Sequence, residues 1–131
     1  KRPRMKEKHL YEYAIIRVVP IVEREEFLNV GIILFSKKAK FIRVHYAVDE
    51  AKLLSFSADL DVEQIKLNVQ SLEKIAMGAE HCGPIAALDV ASRFRWLTAV
   101  RSSAIQTSRP HPGLCEDMEA TAKRLFEELV L

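Results

Sequence analysis

The chain has 131 residues and a formal net charge of +2, with 49% hydrophobic and 29% charged residues. This composition is ordinary for one folded domain and argues against intrinsic disorder. No apolar run approaches the roughly 20 residues that a membrane-spanning helix needs, and no signal-peptide pattern follows the basic start, so we expect a cytoplasmic protein that does not enter a membrane.

The charge is unevenly distributed along the chain. Residues 1–8 carry a net charge of +4, residues 90–115 carry four arginines and no acid, and the remaining residues carry a net charge of −6. We expect residues 1–8 to be an expression-tag remnant or a flexible basic arm, and residues 9–131 to form a single α+β domain. Because the body is acidic outside these two segments, general attraction to nucleic-acid phosphates is not expected.

Three strands are predicted in the first half of the chain. Residues 11–20 and 27–36 are rich in the β-branched and aromatic residues that strands favour, and residues 41–48 alternate in polarity. Both faces of the second run are largely apolar, so this strand is expected to lie centrally or to be covered on both sides. The short connections indicate an antiparallel meander, and Gly31 indicates a bulge or a close approach of two backbones.

The second half is predicted to be mainly helical. Residues 61–64 form a capping-box pattern at the start of one helix, and Gly78 is suited to its end. The predicted helices cover residues 49–56, residues 61–78, a segment that begins at Pro84, and residues 117–129. Residues 94–99 either end the third helix or are extended. We expect Phe94 and Trp96 to pack in the core rather than stack on single-stranded nucleic acid.

A fourth strand is predicted over residues 103–108, and the prolines and glycine of residues 109–113 predict a turn-rich loop. The order of strands, helices, strand and helix favours the α+β class. We therefore expect an antiparallel sheet of three to four strands, made of the N-terminal meander and the later strand, packed with about four helices.

The acid-free segment contains the residues most suited to binding a ligand. Guanidinium groups bind carboxylates and phosphates through paired hydrogen bonds, and neighbouring hydroxyl groups can complete such a site. The predicted anion-binding residues are Arg93, Arg101, Ser102, Gln106 and His111. The alternative is that these arginines cover apolar surface and pair with acids elsewhere in the fold.

A second polar cluster contains Arg17, Arg24 and Asn29. Arg17 and Asn29 interrupt apolar strands, and a buried polar or charged group needs a partner. They are expected either to join an internal polar network, which is the commoner arrangement, or to line a cleft. The acidic residues within 23–26 are expected to form a solvated turn, with the alternative that they supply carboxylates to Arg17.

No sequence pattern assigns catalysis, a metal or a cofactor. His81, Cys82, His111 and Cys115 are residue types that bind zinc, but their spacing does not match a standard zinc site. A reactive cysteine–histidine pair and a nucleotide-binding glycine loop also lack a signature. We therefore expect no metal, no cofactor and reduced cysteines, and we assign no catalytic residue.

Several blocks of the sequence together resemble a known family. They are YEYAIIRVVP (residues 11–20), ER-x-EFLNVGIILF (23–35), RFRWLTAVRSSAIQTS (93–108), HPG (111–113) and LFEELV (125–130). These blocks are similar to the bacterial family called domain of unknown function 3037, over nearly the whole chain from Tyr11 to Val130. The resemblance implies a small bacterial domain without an established activity, and it gives no residue a catalytic role.

The resemblance also suggests a partner, because members of this family are often encoded beside a HipA-like kinase-fold protein. Together with the small size and the missing catalytic signatures, this favours a non-enzymatic accessory module that binds another protein. The alternative is a binding module or small enzyme for a phosphorylated ligand or nucleic acid, using residues 93–111. A homodimer that buries the strand faces also stays open.

Overall fold

Five strands make one antiparallel sheet in the computed structural model, which describes residues 7–99 and 104–131. The strands are β1 (His9–Val18), β2 (Leu28–Ser36), β3 (Phe41–Tyr46), β4 (Ile105–Thr107) and β5 (His111–Cys115). The helices are α1 (Glu50–Phe56), α2 (Val62–Ala76), α3 (Val90–Ala99) and α4 (Met118–Leu129), with 3-10 turns at Val22–Arg24 and Pro84–Ala87. The predicted α+β class is confirmed. No helix within the two described ranges is long and apolar enough to cross a membrane.

Strand β1 is paired along both of its edges, with three other strands in all. β2 pairs with one edge of β1, and β3 pairs with β2, which confirms the predicted meander. β4 and β5 share the other edge of β1: β4 pairs with residues 16–18 and β5 pairs with residues 9–13. These two short strands therefore follow one another along the same edge, with an interruption at residues 108–110.

Helices pack on both faces of β2, which explains why this strand is apolar on both sides. On one face the core cluster involves α1, α2 and α3, and it includes Ile33, Phe35, Leu53, Ile65 and Phe94. On the opposite face the cluster involves α4, and it includes Ile32, Leu34, Met118, Ala122 and Leu125. The sheet thus lies between two helical layers. Each fully buried Val, Leu, Ile, Phe or Met side chain in these layers contributes roughly 1.5–3 kcal/mol to folding.

An aspartate caps the start of each of the helices α1 to α4. The side chain of Asp61 accepts a hydrogen bond from the Gln64 N–H (3.1 Å), so the helix start predicted there is confirmed. Asp49 and Asp117 cap α1 and α4 in the same way. Gly78 follows α2 with a φ of +69°, the left-handed conformation that glycine adopts without strain.

The prediction of a loop over residues 109–113 is wrong, because His111–Cys115 forms β5. Proline and glycine gave a turn signal, yet proline is tolerated in a strand at a sheet edge, where one side of the backbone has no partner. Pro112 lies opposite Glu12 of β1, and Pro110 immediately precedes the strand. The sheet consequently has five strands rather than three to four.

The helix predicted from Pro84 is divided into two parts. A 3-10 turn covers Pro84–Ala87, and α3 begins after Asp89, whose side chain accepts a hydrogen bond from the Ser92 N–H (2.7 Å). Residues 94–99, which the sequence left open between helix and extended segment, belong to α3.

Helix α3 buries only one of its two aromatic side chains. Phe94 is fully buried and stacks on Phe35, with the ring centroids 4.7 Å apart. Trp96 keeps 39% of its surface exposed. Residues two apart on a helix point in nearly opposite directions, since each residue advances about 100°. The predicted core role is therefore confirmed for Phe94 and wrong for Trp96.

Gly31 lies at a β-bulge where two backbones approach closely. β2 passes from Gly31 to Asn29 while β1 advances by one residue, so Val30 has no opposite residue. A Cβ atom at position 31 would lie 2.8 Å from the backbone carbonyl oxygen of His45 in β3. Both features that Gly31 predicts, a bulge and a close approach, are therefore present.

Ser108 maintains the hydrogen bonds of β1 across the interruption between β4 and β5. Its N–H donates to the carbonyl oxygen of Ile15 (2.8 Å), and its Oγ accepts from the N–H of Ile15 (2.9 Å). The Oγ of this buried serine thus takes the place of a backbone carbonyl in the ladder, which is why the chain can bulge here without leaving a buried N–H unpaired.

Replacing Ser108 with alanine is expected to lower the free energy of unfolding by about 1–3 kcal/mol, because the buried N–H of Ile15 loses its acceptor. Urea unfolding followed by circular dichroism measures this loss. Ser71→Ala, at an exposed position of α2, is the matched control and is expected to change the free energy by less than about 0.5 kcal/mol. An equally small change at Ser108 would contradict the role given to its hydroxyl.

Candidate functional site

Three side chains from the two predicted polar clusters lie side by side on neighbouring strands. Arg17 of β1 is opposite Asn29 of β2 and opposite Gln106 of β4. Directly opposite residues of antiparallel strands place their side chains on the same face. Asn29 Nδ2 donates to the carbonyl oxygen of Leu129 in α4 (3.1 Å), so this is the face on which α4 packs. We call Asn29, Arg17 and Gln106 the polar row.

Arg17 has no carboxylate partner among the described residues. Its guanidinium group lies over the ring of Phe27, with Cζ 4.0 Å from the ring centroid. The Nε of Arg17 is buried without an acceptor, and the Oδ1 of Asn29 is buried without a donor. The internal polar network expected for these residues is therefore incomplete within the part of the chain that the structure describes.

His111 lies on the same face as the polar row but at a distance from it. It is opposite Tyr13 in the β1–β5 ladder, and the centroids of the two rings are 5.2 Å apart. Tyr13 and Arg17 are four residues apart on β1, which corresponds to about 13 Å at the usual rise of a strand. His111 is therefore not a neighbour of the polar row in the sheet.

Arg93 lies in α3, on the other side of the sheet. Its Nη1 donates to the carbonyl oxygen of Leu88 (2.8 Å), and its guanidinium group packs beside the Gly78 turn. The Nε of Arg93 is buried without an acceptor in the described residues. Arg93 thus stabilises the turns that surround the start of α3.

The residues of the predicted anion site do not form one group. Gln106 joins the polar row, His111 lies beside Tyr13, and Arg93 lies across the sheet, while Arg101 and Ser102 fall outside the described residues. That these residues bind an anion stays a prediction.

Arg95, which belongs to the acid-free segment, pairs with an acid, as the alternative for the arginines of that segment expected. Arg95 of α3 donates two hydrogen bonds to the carboxylate of Glu12 in β1, with Nη2 2.7 Å from Oε2. Arg24, in the exposed turn after β1, pairs with Glu26 and so lies apart from the polar row. The acids of residues 23–26 are exposed and form no ion pair with Arg17, which agrees with a solvated turn.

A second surface lies beside α3, on the face opposite the polar row. Leu10 of β1 and Leu114 of β5 are directly opposite each other, and each keeps 63% of its surface exposed. Next to Leu10 is a cavity of about 430 Å³ whose lining includes Phe35, Ala91 and Pro112. We call this cavity and the two leucines the α3 groove. Its β5 residues were missed because the turn signal of residues 109–113 hid the alternation of that strand.

Basic side chains surround the α3 groove. A second cavity of about 430 Å³ shares Lys37 and Ala91 with the first, so the two are adjacent. Their linings contain the basic residues Lys37, Lys40, Arg93 and Arg95 and the acidic residues Glu12 and Asp89. Hydrogen bonds from Ser92 lower the pKa of the Asp89 carboxyl, and the positive charges of Lys37 and Arg93 lower it further, so this carboxyl is ionised at neutral pH.

The described residues contain no cluster of histidine, cysteine or acidic side chains that could hold a metal ion. Cys82 and Cys115 are free thiols, and the Sγ of Cys115 lies 3.4 Å from the Sδ of Met118 at the start of α4. His111 is on the strand that also contains Cys115, but its ring neighbour is Tyr13 rather than the thiol.

Comparison with known proteins identifies the family. A family model described as "Protein of unknown function (DUF3037)" matches residues 13–130. The chain belongs to this family. The match includes β2, α3, the polar row and most of β1, so these features lie within the DUF3037 domain. No curated protein and no solved structure matched the chain. Membership in the DUF3037 family assigns no activity. The polar row and the α3 groove are the two surfaces on which a function can rest.

Proposed function

We propose that this DUF3037 protein is a non-enzymatic accessory module of the cytoplasm that binds another protein through the α3 groove. The observation that carries the proposal is the pair formed by Leu10 and Leu114, each with 63% of its surface exposed on adjacent strands. Two large aliphatic side chains held side by side in water form a patch of the kind that partners cover. Both leucines lie in paired strands, so the backbone at these positions loses little conformational entropy on binding.

The chemistry of the α3 groove favours a particular kind of partner segment. The first cavity has mainly apolar neighbours such as Phe35, Ala91 and Pro112, while Lys37 and Lys40 line the adjacent cavity. An apolar floor with a basic rim complements a segment that carries apolar anchors flanked by acidic residues. The Glu12–Arg95 ion pair joins β1 to α3, and both side chains line the cavity.

The first partner to test is a HipA-like kinase-fold protein, which the family resemblance suggests. The two proteins are expected to elute together in size-exclusion chromatography at micromolar concentrations, and calorimetry then gives the dissociation constant. Separate elution of the wild-type proteins would contradict this choice of partner.

Leu10→Asp is expected to weaken binding about 30-fold or more, because it places a charge at the centre of the apolar patch. Leu67→Asp is the matched control, since Leu67 is an equally accessible leucine on α2 with 58% of its surface exposed. Equal losses for the two variants, or no loss for Leu10→Asp, would show that the α3 groove is not the docking surface. A dimer of the chain alone that Leu10→Asp converts to a monomer would assign the groove to a second copy.

A further inference from the structure

We propose that the polar row is a second binding site, which takes a small oxyanion, a phosphate or carboxylate, carried by a molecule that also has a neighbouring hydroxyl or N–H group. This site lies on the face of the sheet opposite the α3 groove, and it is centred on Arg17 rather than on Arg93.

Arg17 has no counter-ion among the described residues. Arg24, Arg43, Arg95 and Arg124 each pair with a carboxylate in the structure. Arg17 is partly buried, yet no described acid pairs with it, and its Nε has no acceptor. Removing a guanidinium charge from water without a partner is costly. A bound oxyanion supplies the charge that the protein itself does not.

A cation–π contact restrains the guanidinium group of Arg17. Its Cζ lies over the ring of Phe27, 4.0 Å from the centroid. This contact does not use the N–H donors, and the Nε donor has no acceptor among the described residues. A planar fork held in this way matches two oxygens of a phosphate or carboxylate.

The residues on either side of Arg17 supply further donors and acceptors. Gln106 lies opposite it on β4 and brings amide N–H donors that an oxyanion can accept. On β2, Asn29 uses its Nδ2 to bind the Leu129 carbonyl oxygen, so the buried Oδ1 is the free atom. This oxygen accepts a hydrogen bond but repels an anion. It therefore selects a ligand that presents a hydroxyl or N–H beside its charged group.

The structural alternative is one buried water that bridges Arg17 Nε and Asn29 Oδ1, because such waters satisfy otherwise unpaired polar groups. The two readings differ in what the loss of Arg17 does. In the water-bridged network, Arg17→Met breaks a stabilising network and lowers the Tm by more than about 5 °C. For a ligand site, Arg17→Met removes a charge that nothing in the fold pairs, and the Tm of the unliganded protein stays within about 3 °C.

The test is a titration followed by backbone amide NMR, with inorganic phosphate and glycerol 3-phosphate as probes and sodium chloride matched in ionic strength. We expect saturable shifts of the Arg17 and Gln106 amides at probe concentrations up to about 50 mM. Glycerol 3-phosphate is expected to bind about threefold to tenfold more tightly than inorganic phosphate, because its hydroxyl donates to Asn29 Oδ1. Asn29→Ala is expected to remove this difference between the probes.

Three arginine variants distinguish a specific binding site from general charge attraction. Arg17→Met is expected to weaken phosphate binding about tenfold or more, and Arg17→Lys to recover only part of it, because lysine lacks the planar fork. Arg109→Gln removes an exposed charge near the same sheet edge and is expected to leave binding unchanged. Leu10→Asp is also expected to bind phosphate normally, so the site can fail or succeed independently of the protein-binding proposal.

Each of the following outcomes would contradict the proposed oxyanion site. The absence of saturable shifts, equal binding by wild type and Arg17→Met, or an equal loss in Arg109→Gln would show that the polar row does not select an oxyanion. A large fall of Tm in Arg17→Met without any phosphate effect would assign Arg17 to a water-bridged network that stabilises the fold.

Discussion

Phe94→Ala is expected to lower the free energy of unfolding by about 3–5 kcal/mol, the largest single effect predicted for this protein. Phe94 is fully buried, and its ring stacks on Phe35 with the centroids 4.7 Å apart. Alanine removes the transfer free energy of the ring and leaves a cavity between α3 and the sheet. Since small domains are stable by only about 5–15 kcal/mol, the variant is expected to unfold at a much lower urea concentration.

Trp96→Ala is the matched control for this substitution, because it removes a larger aromatic ring from the same helix. With 39% of its surface exposed, Trp96 is expected to contribute less than about 1.5 kcal/mol. Urea unfolding of both variants, followed by circular dichroism, gives the comparison. If Trp96→Ala proved as damaging as Phe94→Ala, the orientation of α3 on the sheet would have to be revised.

Gly31→Val is expected to cost about 3 kcal/mol, at the upper end for overpacked sites. A Cβ atom at this position meets the backbone carbonyl oxygen of His45 at 2.8 Å and the Cβ of Tyr46 at 3.0 Å. Backbone and Cβ atoms cannot turn aside as the end of a flexible side chain can. β2 and β3 would therefore have to separate along part of their ladder.

Gly31→Ala provides a graded test of the same contact, because it adds the Cβ atom without the two methyl groups of valine. It is expected to be destabilised by about 1–2 kcal/mol, less than the valine variant. If the glycine only added flexibility to the unfolded chain, alanine would instead stabilise the protein by about 0.4–1 kcal/mol. Stabilisation in urea unfolding would thus contradict the close approach of the two backbones.

The sequence was most informative where local patterns and tertiary structure agree. The apolar character of both faces of β2 predicted a strand that lies centrally or is covered on both sides, and the clusters around Ile32 and Ile33 occupy those two faces. The cap at Asp61 and the glycine at position 78 depend on neighbours within a few residues, so they were predictable without knowing the fold.

Strand β5 could not be predicted in the same way, because its partner decides its structure. The run HPGLC has a proline and a glycine, which favour turns in isolation. Pairing with residues 9–13 overrides this preference, and the ring of Tyr11 lies so close to Gly113 that a Cβ there would meet it at 2.4 Å. The glycine therefore serves the packing of an aromatic ring rather than a turn.

For the candidate site, the sequence revealed the types of residue but not their arrangement in space. Arg17, Asn29 and Gln106 were each recognised from the sequence as polar residues in apolar or acid-free surroundings. Their adjacency depends on ladders between strands that are distant in the chain, which local patterns do not reveal. Conversely, Arg93 is near Gln106 in the sequence but lies across the sheet, because α3 packs on one face while Gln106 shares the opposite face with Arg17.

The prolines at the β5 edge have a consequence for self-association. An open sheet edge is a template on which strands of other molecules add, and such addition begins many fibrils. Pro110 and Pro112 remove two amide donors within three residues of this edge, so a strand that arrived from another molecule would meet gaps in the ladder. We expect aggregation by strand addition to be disfavoured at this edge, which directs encounters with other molecules toward the faces of the sheet.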